Sequence, residues 1–191
     1  MRVMLLDNKD SFTYNIVHIL QKAGLFVDVF DNEVDPGTIH AEDYGALIIS
    51  PGPGNPLNQK DRGVGMELLA KGFAFALGIC FGNQLLGYHL GCEIYRTESL
   101  MHGEIDTVES KGTGILTGVP GKFNAVRYHS LAIRPNGNIL VDAVSSTDGT
   151  LMAFHSADGR YYGLQFHPES YYSQYGNEIL TNFIGVISGH S

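Results

Sequence analysis

The sequence predicts an α/β fold: one open, mostly parallel central sheet with helices on both faces and antiparallel additions in its second half. Three observations carry this expectation. Short apolar runs alternate with helical patterns through the first half, the signature of a parallel sheet covered on both sides. The second half changes to short strands of alternating polarity with no helical pattern between them. No internal repeat, low-complexity stretch or linker divides the 191 residues, so residues 1–191 are expected to form one domain.

Residues 3–6 read as the first strand. After the polar turn Asn8-Lys9-Asp10, Ser11 is placed to cap a helix whose apolar positions Phe12, Ile16, Val17, Ile19 and Leu20 share one face, and Gly24 stops it. Residues 25–30 form the second expected strand, and the acidic stretch 31–43 reads as a solvated connection. The third strand, 46–49, runs into Ser50-Pro51-Gly52-Pro53-Gly54-Asn55-Pro56, a glycine-bearing loop stiffened by its prolines. A helix around 64–71 returns the chain, the apolar run 73–79 suits a central buried strand, and 83–90 reads as helical up to Gly91. Strands are then expected at 94–96, 104–108, 123–129, 139–145, 152–155 and 161–166, all as antiparallel additions to the sheet. A final helix over 176–187 carries Ile179, Leu180, Phe183, Ile184 and Ile187 on or near one face.

Composition narrows the function. With 43% hydrophobic and 17% charged residues the chain is ordinary globular material, and its length buries roughly 70% of the surface an unfolded chain exposes, without need of disulfides or a structural metal. A net charge of −8 with no basic run argues against nucleic-acid and anionic-membrane partners. Cys80 and Cys92 fit neither a C-x-x-C redox pair nor a four-ligand zinc site, so a reducing, cytoplasmic setting is expected. Neither a signal-peptide core nor an apolar run approaching ~20 residues occurs, which predicts a soluble protein. His89 and Cys92 form a lone H-x-x-C pair, and no complete phosphate-binding glycine motif exists, so metal and nucleotide sites are not expected.

Chemistry concentrates in Gly78-Ile79-Cys80-Phe81-Gly82, a G-x-C-x-G elbow between a strand and a helix. The glycines let strand and helix approach closely, the turn holds Cys80 out at the carboxyl edge of the sheet, and the helix start favours a thiolate. An inert, buried cysteine is the bland alternative. A base is supplied by His167-Pro168-Glu169 at the end of the last strand: residues two apart on an extended chain face the same way, so Glu169 is placed to hold His167. His129, at another strand end but without a close carboxylate, ranks second, and His40, His155 and His190 read as surface histidines. For an oxyanion, one donor is the backbone N–H of Phe81, and Gly52 and Gly54 permit a second, although spacing reads equally well there as a turn without a ligand.

These residues resemble the class I (triad) glutamine amidotransferases over essentially the whole chain. The resemblance rests on the block from Asp7 to Asn15, Ser50-Pro51-Gly52-Pro53-Gly54, Gly78-Ile79-Cys80-Phe81-Gly82-Asn83-Gln84, Arg127-Tyr128-His129-Ser130-Leu131 and Gln165-Phe166-His167-Pro168-Glu169-Ser170. The first block and the Tyr-His-Ser-Leu segment resemble the subfamily serving chorismate-using synthases. The resemblance implies a flavodoxin-like fold, Cys80 as nucleophile, His167 as base and acid, and Glu169 as its orienting partner. It further implies oxyanion donors at the N–H groups of Gly54 and Phe81, and glutamine bound by Gly52, Pro53, Gly54, Gln84, Ser130 and Leu131, with His129 left a structural or positioning role. The implied partner is a chorismate-binding synthase subunit making anthranilate or aminodeoxychorismate; no cofactor is expected in this chain, Mg2+ belonging to the partner. Asn83 stands where the family usually has His, Phe81 where Leu is common, and Lys9 where Tyr is usual. Other acceptors, a catalytically silent regulatory subunit and a stand-alone cysteine hydrolase are the alternatives.

Overall fold

The computed structural model of the chain describes residues 1–97 and 101–189; His190 lies outside them. The chain opens with β1 (Arg2–Asp7), α1 (Thr13–Lys22), β2 (Phe26–Asp31) and β3 (Leu47–Ile49). Two short helices, α2 (Gln59–Arg62) and α3 (Gly65–Ala70), lead to β4 (Ala76–Ile79) and α4 (Phe81–His89). Then come β5 (Glu93–Arg96), β6 (Glu104–Ser110), β7 (Lys122–Arg127), β8 (Leu131–Arg134), β9 (Ile139–Ser145), β10 (Leu151–Ser156), β11 (Tyr161–Leu164) and α5 (Gly176–Ile187).

Nine strands form one sheet in the order β2-β1-β3-β4-β11-β10-β9-β6-β7. The first five are parallel and the rest antiparallel. Residues alternate between faces along each strand, so Val3 and Leu5 of β1 enter one core and Met4 and Leu6 the other. Ile16, Val17 and Leu20 of α1 and Ile179, Leu180 and Phe183 of α5 cover the first face. Leu68 and Leu69 of α3 and Leu85 and Leu86 of α4 cover the second. Among the described residues, no helix is long and apolar enough to cross a membrane.

The structure corrects several local expectations. Ser11 does not cap α1: Phe12 occupies that position without a side-chain cap, while Asp10 accepts the Phe12 N–H and Asp7 the Thr13 hydroxyl. Only the last four residues of the 73–79 run join the sheet, and α4 begins at Phe81 rather than Asn83. The strand expected over 123–129 stops at Arg127, and a separate strand, β8, follows the corner at 128–130. β5 and β8 pair with each other as a second, two-stranded sheet instead of extending the first. β11 is not an antiparallel addition at one flank; it pairs in parallel with β4 on one side and antiparallel with β10 on the other.

How closely α4 packs on the sheet depends on a missing side chain. A Cβ on Gly82 would lie 2.2 Å from the carbonyl oxygen of Ile49 in β3, a backbone atom that cannot yield without moving the strand. Gly82→Ala is therefore expected to destabilise the fold by about 3 kcal/mol, at the upper end of ordinary overpacking. Gly87→Ala on the same helix meets the Ile133 side chain, Cδ1 at 2.6 Å and Cγ2 at 3.0 Å, and no backbone atom, so it should cost less. Urea midpoints of the two variants decide this; equal losses would mean that backbone contact is not what makes position 82 special.

Candidate active site

Cys80 stands between β4 and α4 with φ +51° and ψ −101°, a left-handed backbone that few residues other than glycine adopt. The strain is tolerated because both flanking glycines are needed in place: a Cβ on Gly78 would lie 2.2 Å from the Gly82 oxygen, and Gly82 is pressed against β3. Phe81 is the first helical residue, so its N–H has no acceptor within α4, and it lines the same pocket as Cys80. The loop after β3 approaches from the side. Gly54 has φ +100° and sits over Asp61, whose carboxylate accepts the Asn55 N–H at 2.9 Å, while Gly52 lies against Asn8. Asn8 is itself buried and donates from Nδ2 to the Ser50 carbonyl, which ties this loop to the end of β1.

Eight residues nominated from the sequence, Gly52, Pro53, Gly54, Cys80, Phe81, Gln84, Ser130 and Leu131, line one pocket, together with Tyr128 and His129. His167 and Glu169 are buried rather than lining it. Glu169 Oε1 lies 2.6 Å from His167 Nδ1, which fixes a proton on that nitrogen and leaves Nε2, itself buried, on the side of the ring away from the carboxylate. Nε2 has no hydrogen-bond partner of ordinary geometry among the described residues. Burial opposes a charge on His167, but the Cys80 sulfur and the Glu169 carboxylate outweigh it and raise the imidazole pKa well above its ordinary value. Cys80 and His167 thus act electrostatically on each other although 87 positions separate them in the chain. The rings of Tyr128 and Phe12 stand against the imidazole, with centroids 5.1 and 6.4 Å from it.

His129 is excluded as the base by its own hydrogen bonds. Arg127 Nε lies 3.0 Å from His129 Nε2, and a guanidinium only donates, so Nε2 accepts and the ring proton sits on Nδ1, 3.0 Å from the Leu131 carbonyl. Both nitrogens are used. Burial, reinforced by the Arg127 charge, pushes the His129 pKa down to about 4. The neutral ring therefore stabilises the fold fully above the ordinary histidine pKa of ~6.5, and that contribution fades as pH falls toward the folded value. His167 has the opposite sign, its contribution being present below ~6.5 and lost as pH rises through its own higher pKa. From about pH 7.5 to about pH 5 the fold is expected to lose on the order of 2 kcal/mol through His129. Urea unfolding at the two pH values, with His129→Asn as control, measures it; no difference in slope between wild type and control would refute the assignment.

Sequence reasoning missed Gln165 and Arg127 as members of the site. Gln165 Nε2 approaches the Cys80 sulfur at 3.9 Å, and its Oε1 accepts from Asn83 at 3.0 Å. This explains how Asn83 is accommodated in a fully buried position. The Tyr128 carbonyl also lies 3.9 Å from the sulfur. No local pattern announces either contact; the one signal was polar residues inside otherwise apolar strand ends. Among the described residues no group of three or more His, Cys, Asp or Glu side chains is placed to hold a metal.

A doubly covered, mostly parallel sheet thus presents a cysteine elbow beyond β4 and a carboxylate-held histidine beyond the neighbouring β11. Residues 4–186 match the family model of glutamine amidotransferase class-I, and the chain belongs to that family, whose membership supports glutamine amidotransferase activity. It is 38% identical to anthranilate synthase component 2 of Saccharolobus solfataricus, over 96% of this chain and 98% of that protein. It is 37% identical, over its whole length, to aminodeoxychorismate synthase of Streptomyces griseus, of which it spans 27%. The fold superposes on a glutamine amidotransferase of Thermotoga maritima with a TM-score of 0.74 at 19% identity, covering 99% of this chain and 83% of that one.

Proposed function

We propose that this chain is the glutaminase subunit of a heteromeric synthase, hydrolysing L-glutamine to glutamate and delivering the ammonia to a chorismate-using partner that makes anthranilate for tryptophan biosynthesis. The observation that carries the chemistry is the His167–Glu169 pair, with Nε2 left free and the Cys80 sulfur raising the imidazole pKa. In this reading Cys80 starts as thiolate beside a protonated His167. The sulfur attacks the side-chain amide carbon, and the N–H groups of Gly54 and Phe81 hold the resulting oxyanion. His167 gives its proton to the departing nitrogen, which leaves as ammonia, and a γ-glutamyl thioester remains. Water then attacks the thioester, His167 takes the water's proton, and glutamate leaves as the Cys80 thiolate re-forms. The net change is glutamine plus water to glutamate, ammonia and a proton, the last released as the new carboxyl group ionises.

Gly52, Pro53, Gly54, Gln84, Ser130 and Leu131 bind the glutamine in this reading, which is supported by their lining one pocket with Cys80. Free ammonia is mostly ammonium at neutral pH and then no nucleophile, which favours delivery into a partner's site. Mg2+ acts in that partner, and a reducing cytoplasmic compartment suits two cysteines that are both free thiols. The test is to mix the purified chain with the chorismate-binding synthase subunits of its own genome, chorismate, glutamine and magnesium, and to identify the aminated product. Anthranilate is expected. Aminodeoxychorismate would assign the chain to folate biosynthesis instead, a reading favoured by the full-length match to the Streptomyces griseus protein; absence of any glutamine-dependent product would refute both.

A further inference from the structure

Arg127 is the largest of the fully buried side chains, and an arginine removed from water must have every donor engaged. Its Nη1 donates to Asp106 at 2.5 Å and Ser145 at 3.2 Å, and its Nη2 to Asp148 at 3.0 Å. The two carboxylates already meet the guanidinium charge. Nε leads elsewhere: to His129 Nε2, and through the ring to the carbonyl of Leu131 at the pocket wall. That carbonyl also accepts from Gln84 Nε2 at 2.8 Å. The second N–H of the same amide is directed at Gln165 Oε1, 3.4 Å away. With its nitrogen committed twice, the Gln84 amide is held in one orientation, and its Oε1 is the end left for a ligand in the pocket that Gln84 lines.

We propose that Arg127 and His129 are positioning residues for the glutamine subsite: a buried relay, anchored on β6 and the turn after β9, that fixes the Leu131 carbonyl and through it the orientation of the Gln84 amide. The inference rests on the glutamine reading of the pocket and adds residues that act through the Leu131 carbonyl and the Gln84 amide. The relay has a polarity. A guanidinium can only donate, so the imidazole must accept at Nε2 and donate at Nδ1, and Leu131 must accept. The reversed tautomer would set donor against donor at Arg127 and acceptor against acceptor at Leu131. The corner 128–130 is further held by backbone bonds from Met101 to His129 and from Thr97 to Ser130, so loss of the relay should release the carbonyl's direction without releasing the chain.

The test compares two electrophiles on Cys80: a diazoketone analogue of glutamine, which must be bound as glutamine is, and iodoacetamide, which need only reach the sulfur. In His129→Phe the labelling rate with the diazoketone should fall by about tenfold to a hundredfold, the size of effect expected from misplacing a binding group. Iodoacetamide should react as with wild type. His129→Asn, whose side-chain N–H falls near the imidazole Nδ1, should restore most of the diazoketone rate, whereas His129→Gln, which places its amide near Nε2, should not. A change in both reagents alike, a His129→Phe variant labelled like wild type, or an Asn variant no better than the Gln variant would each overturn the relay. A wild-type chain that iodoacetamide alkylates and the diazoketone does not would overturn the glutamine reading and this inference with it.

Discussion

Cys80→Ala is expected to abolish glutamine-dependent synthesis by the complex, by about four orders of magnitude or more, while synthesis from added ammonia continues at close to the wild-type rate. The size follows from what is removed. Without the sulfur no thioester forms, and hydrolysis falls back on whatever the oxyanion donors achieve with water alone. The sparing of the ammonia reaction follows from geometry: position 80 lies between β4 and α4, and alanine keeps a Cβ on a backbone that already tolerates one at φ +51°. Cys80→Ser gives the sharper comparison, since it preserves shape and hydrogen bonding and loses only the readily ionised nucleophile. Measuring product from glutamine and from ammonium on the same preparations tests the division of labour; loss of both reactions in a folded variant would sink it.

Arg127→Met is expected to destabilise the fold by about 3–5 kcal/mol, the cost of leaving buried charges without their partner. Asp106 and Asp148 lose the guanidinium, and His129 Nε2 loses its donor. Burial resists ionisation of Asp106, but hydrogen bonds from Ser145, Thr147 and Arg127 overcome it and hold its pKa below the usual carboxylate range. Asp148 is held lower still, against burial, by Thr150 and Arg127. In the wild type these depressed values contribute stability above the unfolded carboxylate pKa, and the contribution is lost as pH falls through the folded values. The variant lacks part of it from the start, so its deficit should shrink as the solution is acidified and the carboxylates protonate. Adding Asp106→Asn to Arg127→Met should recover part of the loss at neutral pH. Urea midpoints for the single and double variants across the acid range provide the test; a deficit independent of pH would point to lost packing instead of lost charge pairing.

Legibility in the sequence followed the range over which each signal acts. The elbow at Cys80 and the His167–Glu169 pair are local patterns, and the structure places those residues as their spacing implies. The last helix and β9 were legible to the residue, the helix because its apolar periodicity is uninterrupted and both because glycine or turn residues bound them. The start of α4 was not, since Phe81 and Gly82 are poor helix formers and it is the positive φ of Cys80 that aims the chain into the helix. β8 was hidden behind the polar corner at 128–130, and nothing local tells a short strand which sheet it joins. Arg127, Gln165 and Asn83 are explained only by partners 2 to 85 positions away, such as Gln165 on Cys80. A buried polar network is specified by the whole fold, so its members read as anonymous polar residues until the strands are in place.

The strand order has a consequence for how such a molecule is made. β11 is the last strand to be synthesised, yet it sits between β4 and β10 and joins the parallel half of the sheet to the antiparallel half. A growing chain on the ribosome therefore holds two unjoined sheet fragments, each with an open edge, until residues 161–164 emerge. Only their insertion brings His167 to Cys80. Folding should accordingly be slow and concerted, dominated by long-range pairing, and the thiol should gain its imidazole partner in the final step, so that incomplete chains lack the paired groups.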